Sequence, residues 1–280
     1  MTGKQCFHRA VFGGREKIMI YQTKDIDLAL IAKLKDNNYT RRIKSHFLAY
    51  GTQYDFLRFF FMEYKGERLG MFSEFNSALM ISTFEGKELP DEMIEELAGF
   101  VRMLKPFSVE LERKYGEALA QYLEDDYRVQ RRTEFTYNAT GKLPPLEVDE
   151  TPKLDDVYSI LAKCFPRLAE DYEMWLTDTS HRVRRGLSQS FLMGDYTTAT
   201  IQYIIDKVAL VGQVGTVPEE RGKMHARTLL YWIGERLAQQ SIAVKLFARP
   251  HRVSYYEEIG FKAIGIDVVL EMKNATHNDT

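Results

Sequence analysis

Cysteine is scarce in this chain: Cys6 and Cys164 are the two in 280 residues. They are far apart, so they offer neither a disulfide framework nor a metal-ligand spacing. The expectation is a reducing, cytoplasmic setting and no metal. Charge of one sign is lacking too. Thirty-eight Lys and Arg face 40 Asp and Glu, leaving a formal net charge of −2. No global field points to nucleic acid or to an anionic membrane. The basic runs Arg41-Arg42-Ile43-Lys44, Arg131-Arg132 and Arg182-Val183-Arg184-Arg185 are local and read as solvated faces. No apolar run is long enough to span a bilayer, and no signal-peptide pattern is present. What is present is apolar mass: 45% hydrophobic and 12% aromatic residues. That supports one large or two ordinary domains.

Taken in order, Met1 to Arg15 is a polar lead-in with Gly13-Gly14. Lys17 to Tyr21 reads as a strand. Lys24 to Lys35 has Ile26, Leu30, Ile31 and Leu34 at helical spacing, and Ile43 to Ala49 reads as a second helical piece. Strands are predicted over Phe56–Tyr64, Glu67–Phe75 and Ala78–Phe84. A helix opened by Pro90-Asp91-Glu92 follows, with Met93, Ile94, Leu97, Val101 and Leu104 on one face. Phe107–Leu111 is a strand, Glu112–Leu123 a helix and Tyr127–Tyr137 a long strand. Asn138 to Thr151, with Gly141, Pro144 and Pro145, is the best linker candidate. Beyond it come helices over Lys153–Cys164 and Asp171–Arg185. The strands Leu187–Met193 and Thr197–Ile205 are joined by Gly194-Asp195.

The rest of the chain is organised around Val208 to Leu237, VALVGQVGTVPEERGKMHARTLLYWIGERL. Val208 to Val217 is β-branched and apolar and reads as a buried strand. From Lys223 onward, Leu229, Leu230, Ile233 and Leu237 stand at helical spacing. The unit is a strand, a charged turn, then a helix opened by Gly222. A first helical turn leaves N–H groups without internal partners, and its dipole adds positive charge. A glycine lets a phosphate approach the backbone, and Arg221, Lys223 and Arg227 add full charges. The physical reading is a pyrophosphate site. A strand over Ile242–Phe247, a short helix over Val253–Glu258, a strand over Phe261–Leu270 and a polar tail from Lys273 complete the chain.

V-G-T-V-P-E-E-R-G-K-M-H-A followed by an apolar helix resembles the acetyl-CoA-binding signature of the GNAT N-acetyltransferase superfamily, R-G-x-G-x-A or R-G-x-G-x-G. Arg221, Gly222 and Ala226 match, whereas Met224 stands where a second small residue is usual. Tyr255-Tyr256-Glu257-Glu258-Ile259-Gly260-Phe261 is similar to the family's Y-E-x-x-G-F block. Together the two blocks cover Lys153 to Met272. The resemblance implies an α/β fold with a mixed sheet, the acyl-CoA N-acyltransferase fold. The element order of the amino-terminal half is the same, which implies a tandem. That half has no R-G-x-G-x-A at Glu85 to Pro90, so it reads as a degenerate copy. The expected division is 1–140, a linker at 141–152, a cofactor-binding domain at 153–272 and a tail at 273–280.

The resemblance also implies roles. The cosubstrate is acetyl-CoA. The strand ending near Gly215, Thr216 and Val217 is expected to bulge and splay from its neighbour. Its backbone, at Val214 to Val217, would polarise the thioester carbonyl. Arg221, Gly222, Lys223, Met224, His225, Ala226 and Arg227 would hold the pyrophosphate. Tyr256, four residues before Gly260, would protonate the departing thiolate. The alternative for Tyr256 is packing under the last strand, which is also the reading for Tyr255. Arg249 replaces the Asn common at its position, and no acid lies within Val208 to Val217 to act as a base. His225 and His251 are base candidates that also read as surface or cofactor contacts. Glu219 and Glu220 are expected to face away from a pyrophosphate.

Three functions follow. The first is an N-acetyltransferase acting on a small-molecule or peptide amine, with the amino-terminal half shaping the acceptor pocket. The second is a non-catalytic sensor that holds an acyl-CoA. The third is a structural tandem without cofactor. Tyr172 and Trp175 are candidates to line the acceptor pocket, with core packing as the competing use. Family habit implies a homodimer.

Overall fold

The computed structural model describes residues 18–166 and 168–273. The lead-in at 1–15 and the tail beyond Lys273 lie outside the described residues, as does Cys6. The amino-terminal half runs β1 (Ile18–Thr23), α1 (Leu28–Ile31), α2 (Asn38–Tyr50), β2 (Leu57–Tyr64), β3 (Glu67–Phe75), β4 (Ala78–Thr83), α3 (Asp91–Leu104), β5 (Ser108–Glu110), α4 (Arg113–Tyr122) and β6 (Tyr127–Tyr137). The carboxyl-terminal half runs α5 (Leu154–Cys164), α6 (Tyr172–Arg184), β7 (Gln189–Met193), β8 (Thr197–Ile205), β9 (Val208–Thr216), α7 (His225–Gln239), β10 (Ala243–Ala248), α8 (Val253–Glu258) and β11 (Phe261–Met272). The order of elements is the one expected from the sequence. The helices after β1 are placed differently. The Asp27 side chain caps a single turn at α1 by accepting the Leu30 N–H. The Asn37 side chain accepts the Thr40 N–H and starts α2 well before Ile43.

The described residues form two compact units, one of 18–131 with 266–273, the other within 132–265. The first has strand order β1-β2-β3-β4-β5-β11 and the second β7-β8-β9-β10-β6. Each unit thus takes its last strand from the other half of the sequence. In the second unit Thr136 pairs with Lys245. In the first, Val269 pairs with Glu110. The division therefore falls within β6 and β11 rather than at 141–152.

In the first unit β2 is apolar on both faces because both are covered. Phe60 and Met62 pack in a core with Met93 and Leu97 of α3. Phe59 and Phe61 pack in another with Ile31 and Ile43. β4 and β5 pair parallel from Ala78 to Met80. Beyond Met80, Glu112 accepts the Thr83 hydroxyl at 3.2 Å. Lys35 Nζ lies 3.2 Å from Glu112 and 3.5 Å from Glu88. Helix α3 opens on Pro90, Asp91 and Glu92, so acids occupy its positive end.

In the second unit, α7 buries Leu229, Leu230, Ile233 and Leu237 against β8, β9 and β10. On the other face, Val157 and Leu161 of α5 cluster with Trp175 of α6. The segment after β6 is pinned. The Glu235 carboxylate, 1% exposed, accepts N–H groups of Thr140 at 2.6 Å and Gly141 at 2.9 Å. It also accepts the Tyr137 and Thr140 hydroxyls, each at 2.8 Å.

Candidate functional site

β9 is paired with β10 over part of its length only. Its parallel pairing with β10 covers Val208, Ala209 and Leu210 only. From Val211 to Thr216 it runs on without a β10 partner in that register. On its other side the register with β8 shifts. Ala199 faces Val214 and Ile201 faces Val211, so Gly212 and Gln213 of β9 stand opposite the single Thr200 of β8, a bulge. Gln213 is held by its side-chain oxygen, which accepts from Trp175 Nε1 at 3.1 Å. Trp175 is thus a buried positioning group, and Tyr172 bonds Asp155 at the surface. The irregularity lies three residues before the strand end where a bulge was expected.

The three residues assigned at the strand end differ in use. Gly215 faces α5: a Cβ there would stand 2.9 Å from Cys164 Sγ. The Thr216 carbonyl accepts Cys164 Sγ at 3.2 Å and Arg221 Nε at 3.3 Å, and its hydroxyl meets Thr197 at 3.0 Å. Val217 departs from its expected role. It is buried, its N–H donates to Tyr196 at 2.9 Å and its carbonyl accepts Glu220 at 3.0 Å. Both backbone groups are taken, one by Tyr196 and one by the turn, so the Val217 N–H is not free for an acyl carbonyl.

After a 3-10 turn at Pro218–Glu220 the chain reaches α7, which begins at His225, two residues later than predicted. Gly222 has φ +83° and nothing within 4 Å of where a Cβ would be. Met224 is the N-cap, at φ 61°, with no side-chain cap bond. That left-handed geometry is one that glycine adopts freely and methionine at a cost. The side chain of Met224 points outward, 65% exposed, and leaves the loop unobstructed. His225, Ala226 and Arg227 form the first turn, whose N–H groups have no partner inside the helix.

The charged side chains are not as the sequence reading placed them. Glu219 is exposed. Glu220 accepts Lys223 Nζ at 2.8 Å and lies 3.2 Å from His225 Nε2. The Lys223 hydrogen bond, then His225, holds its carboxyl below the usual range. The His225 ring lies against Tyr196, with centroids 4.5 Å apart. Arg227 is turned toward α8, donating to the Glu258 carboxylate at 3.0 Å and carbonyl at 2.9 Å. Beside this loop a cavity of about 530 Å³ is lined by Pro144, Met224, Arg227, Thr228, Tyr231 and the end of α8.

Tyr256, on α8, packs against Phe135 and Phe261 at 5.8 and 6.0 Å. Its hydroxyl has no hydrogen-bond partner among the described residues. Burial, with Tyr255 beside it, pushes the phenol above its ordinary value, so it stays protonated at neutral pH. Arg249 and His251 are exposed at the turn before α8. Sequence reasoning missed Tyr196, Trp175 as the Gln213 anchor, Cys164 and Glu235. None belongs to a motif, and each acts through a contact with a residue distant in the chain. No group of three or more His, Cys, Asp or Glu suited to a metal is found among the described residues. No described helix is long and apolar enough to cross a membrane.

No family model and no curated protein sequence matches the chain. Solved structures do. A GCN5-related glucosamine N-acetyltransferase region of a fungal multi-domain β-N-acetylglucosaminidase superposes with a TM-score of 0.61 at 12% identity, over 91% of this chain. This chain spans 38% of that one. A GCN5-related N-acetyltransferase from Sphaerobacter thermophilus gives 0.55 at 16% identity, over 82% of this chain and 84% of its own. The fold is therefore that of the GNAT acetyltransferases. Its particular form is the tandem one: a tandem GNAT protein from the clavulanic acid biosynthesis pathway matches 93% of this chain and 100% of its own, with a TM-score of 0.57 at 10% identity.

Proposed function

We propose that this protein is an N-acetyltransferase that moves an acetyl group from acetyl-CoA to an amine, a small molecule or a peptide. The observation that carries it is the end of β9's pairing with β10 at Leu210, in the strand that leads to an open loop at a helix N-terminus. A pantetheine arm fits such a gap, because unpaired strand backbone can take up its amides. The loop Arg221–Arg227 offers N–H groups and the helix dipole to the pyrophosphate. The cavity beside Met224 and Arg227 has room for the nucleotide end.

The chemistry then follows. The amine nitrogen attacks the thioester carbon, and a tetrahedral oxyanion forms. Backbone N–H groups of the released part of β9 stabilise it. The carbon–sulfur bond breaks, the thiolate takes the Tyr256 phenol proton, and the phenolate recovers a proton from solvent. The amine loses its proton to solvent, since β9 carries no carboxylate to receive it. The first unit takes no cofactor in this reading. Lys35, Glu112 and Glu88 fill the end of its β4–β5 pair, and acids occupy the start of α3.

Thiol release from acetyl-CoA, measured across a library of amines, tests the activity. Release that needs both acetyl-CoA and one class of amine is the expected result. CoA binding without release for any amine would favour the second reading, an acyl-CoA-binding protein without turnover. The aromatic packing of Tyr256 is the observation on that side.

A further inference from the structure

We infer that Glu220 is a built-in counter-ion of the anion loop, one that a diphosphate ligand must displace. The inference rests on the cofactor reading above and concerns the selectivity of that same site. Glu220 is the carboxylate of the loop that pairs with its cations, whereas Glu219, its neighbour, is exposed. Its Oε2 takes both Lys223 Nζ, at 2.8 Å, and His225 Nε2, at 3.2 Å. These two side chains flank Met224, the cap of α7, so they are the groups a bound phosphate would meet with the first-turn N–H groups.

A carboxylate and a phosphate cannot both use the Lys223 ammonium without repelling each other. Binding therefore requires Lys223 to leave Glu220, or the phosphate to accept a negative neighbour. Both oppose binding. A ligand with a single weak charge, such as acetate or chloride, gains too little to replace Glu220. A diphosphate brings several charged oxygens at once and can engage the N–H groups and Lys223 together. Glu220 thus keeps the loop closed to small anions and sets the affinity for the cofactor. Its side chain is 31% exposed, so it has a solvent-facing place to turn to once displaced.

The test is calorimetric titration of the full chain with CoA at one low ionic strength, for the wild type, Glu220→Gln and Glu219→Gln. The two variants change net charge equally, and only the first removes the contact. Glu220→Gln is expected to bind CoA roughly threefold or more tightly, a size typical of exposed ion pairs, with Glu219→Gln within about twofold of wild type. Equal or weaker binding by Glu220→Gln, with CoA still bound by the wild type, overturns the inference and leaves the cofactor reading standing. Equal tightening in both variants overturns it as well, because net charge alone would then explain the gain. Failure of all three proteins to bind CoA overturns the cofactor reading and this inference with it.

Discussion

Cys164 and Gly215 meet where no further side chain fits: a Cβ on Gly215 would lie 2.9 Å from Cys164 Sγ and 3.2 Å from its Cβ. The contact fixes the end of α5 on the released end of β9. Gly215→Ala is expected to cost about 1–3 kcal/mol, the range for overpacking a close contact. Cys164→Ala in the same chain should return part of it by removing the sulfur. Urea unfolding of the single and double variants measures both. Full stability in Gly215→Ala would show that α5 moves away freely.

Glu235 is a buried carboxylate that the fold keeps charged. Burial pushes its carboxyl up, and the bonds from Thr140, Tyr137 and Gly141 outweigh that, so its titration falls below the usual range. A folded value below the unfolded one means the stabilisation is fully present above an unfolded pKa of about 4.3 and is lost as pH falls through the folded value. Glu235→Gln should lower stability at pH 7 by about 1–3 kcal/mol, since an amide N–H then faces backbone donors. It should also flatten the acid limb. Urea midpoints at neutral pH and at about pH 3.5 provide the measurement. Parallel acid limbs in the two proteins would remove Glu235 as a source of the pH dependence.

Tyr256 and Tyr137 make a matched pair of tests. The Tyr256 hydroxyl bonds nothing among the described residues, whereas the Tyr137 hydroxyl donates to Glu235 at 2.8 Å. Tyr256→Phe should leave stability and CoA affinity unchanged while slowing thiol release about a hundredfold, the low end for a lost general acid. Tyr137→Phe should lower stability by about 1 kcal/mol and leave chemistry alone. Thiol-release rates set beside unfolding midpoints separate the two. An unchanged rate in Tyr256→Phe would take the phenol out of the mechanism.

Much of this was legible in the sequence because it is local. Turn residues gave the hairpin at Gly194, β-branched apolar residues gave β9, and helical spacing gave α3 and α7. The loop at Arg221-Gly222 was readable because glycine and cations at a helix start have a chemical use. What was not legible depends on partners far along the chain. β6 and β11 each read as the last strand of their own half, and alternation says nothing of which sheet a strand joins. The pairing of Glu220 with Lys223 and His225 was not legible, because the sequence weighed only the helix dipole and repulsion by a ligand. Met224 looked like a departure from a motif. Its left-handed backbone shows that the loop keeps the glycine shape with another side chain.

The central claim is a cofactor site at Gly222, and calorimetric titration with acetyl-CoA and CoA tests it most directly. The comparison is wild type against Gly222→Glu, which sets a carboxylate where open space now lies beside the loop backbone. The account expects both ligands to bind the wild type in the micromolar range, about −8 kcal/mol, with that binding lost in the variant. Binding that survives in Gly222→Glu, or no binding to the wild type, would contradict it.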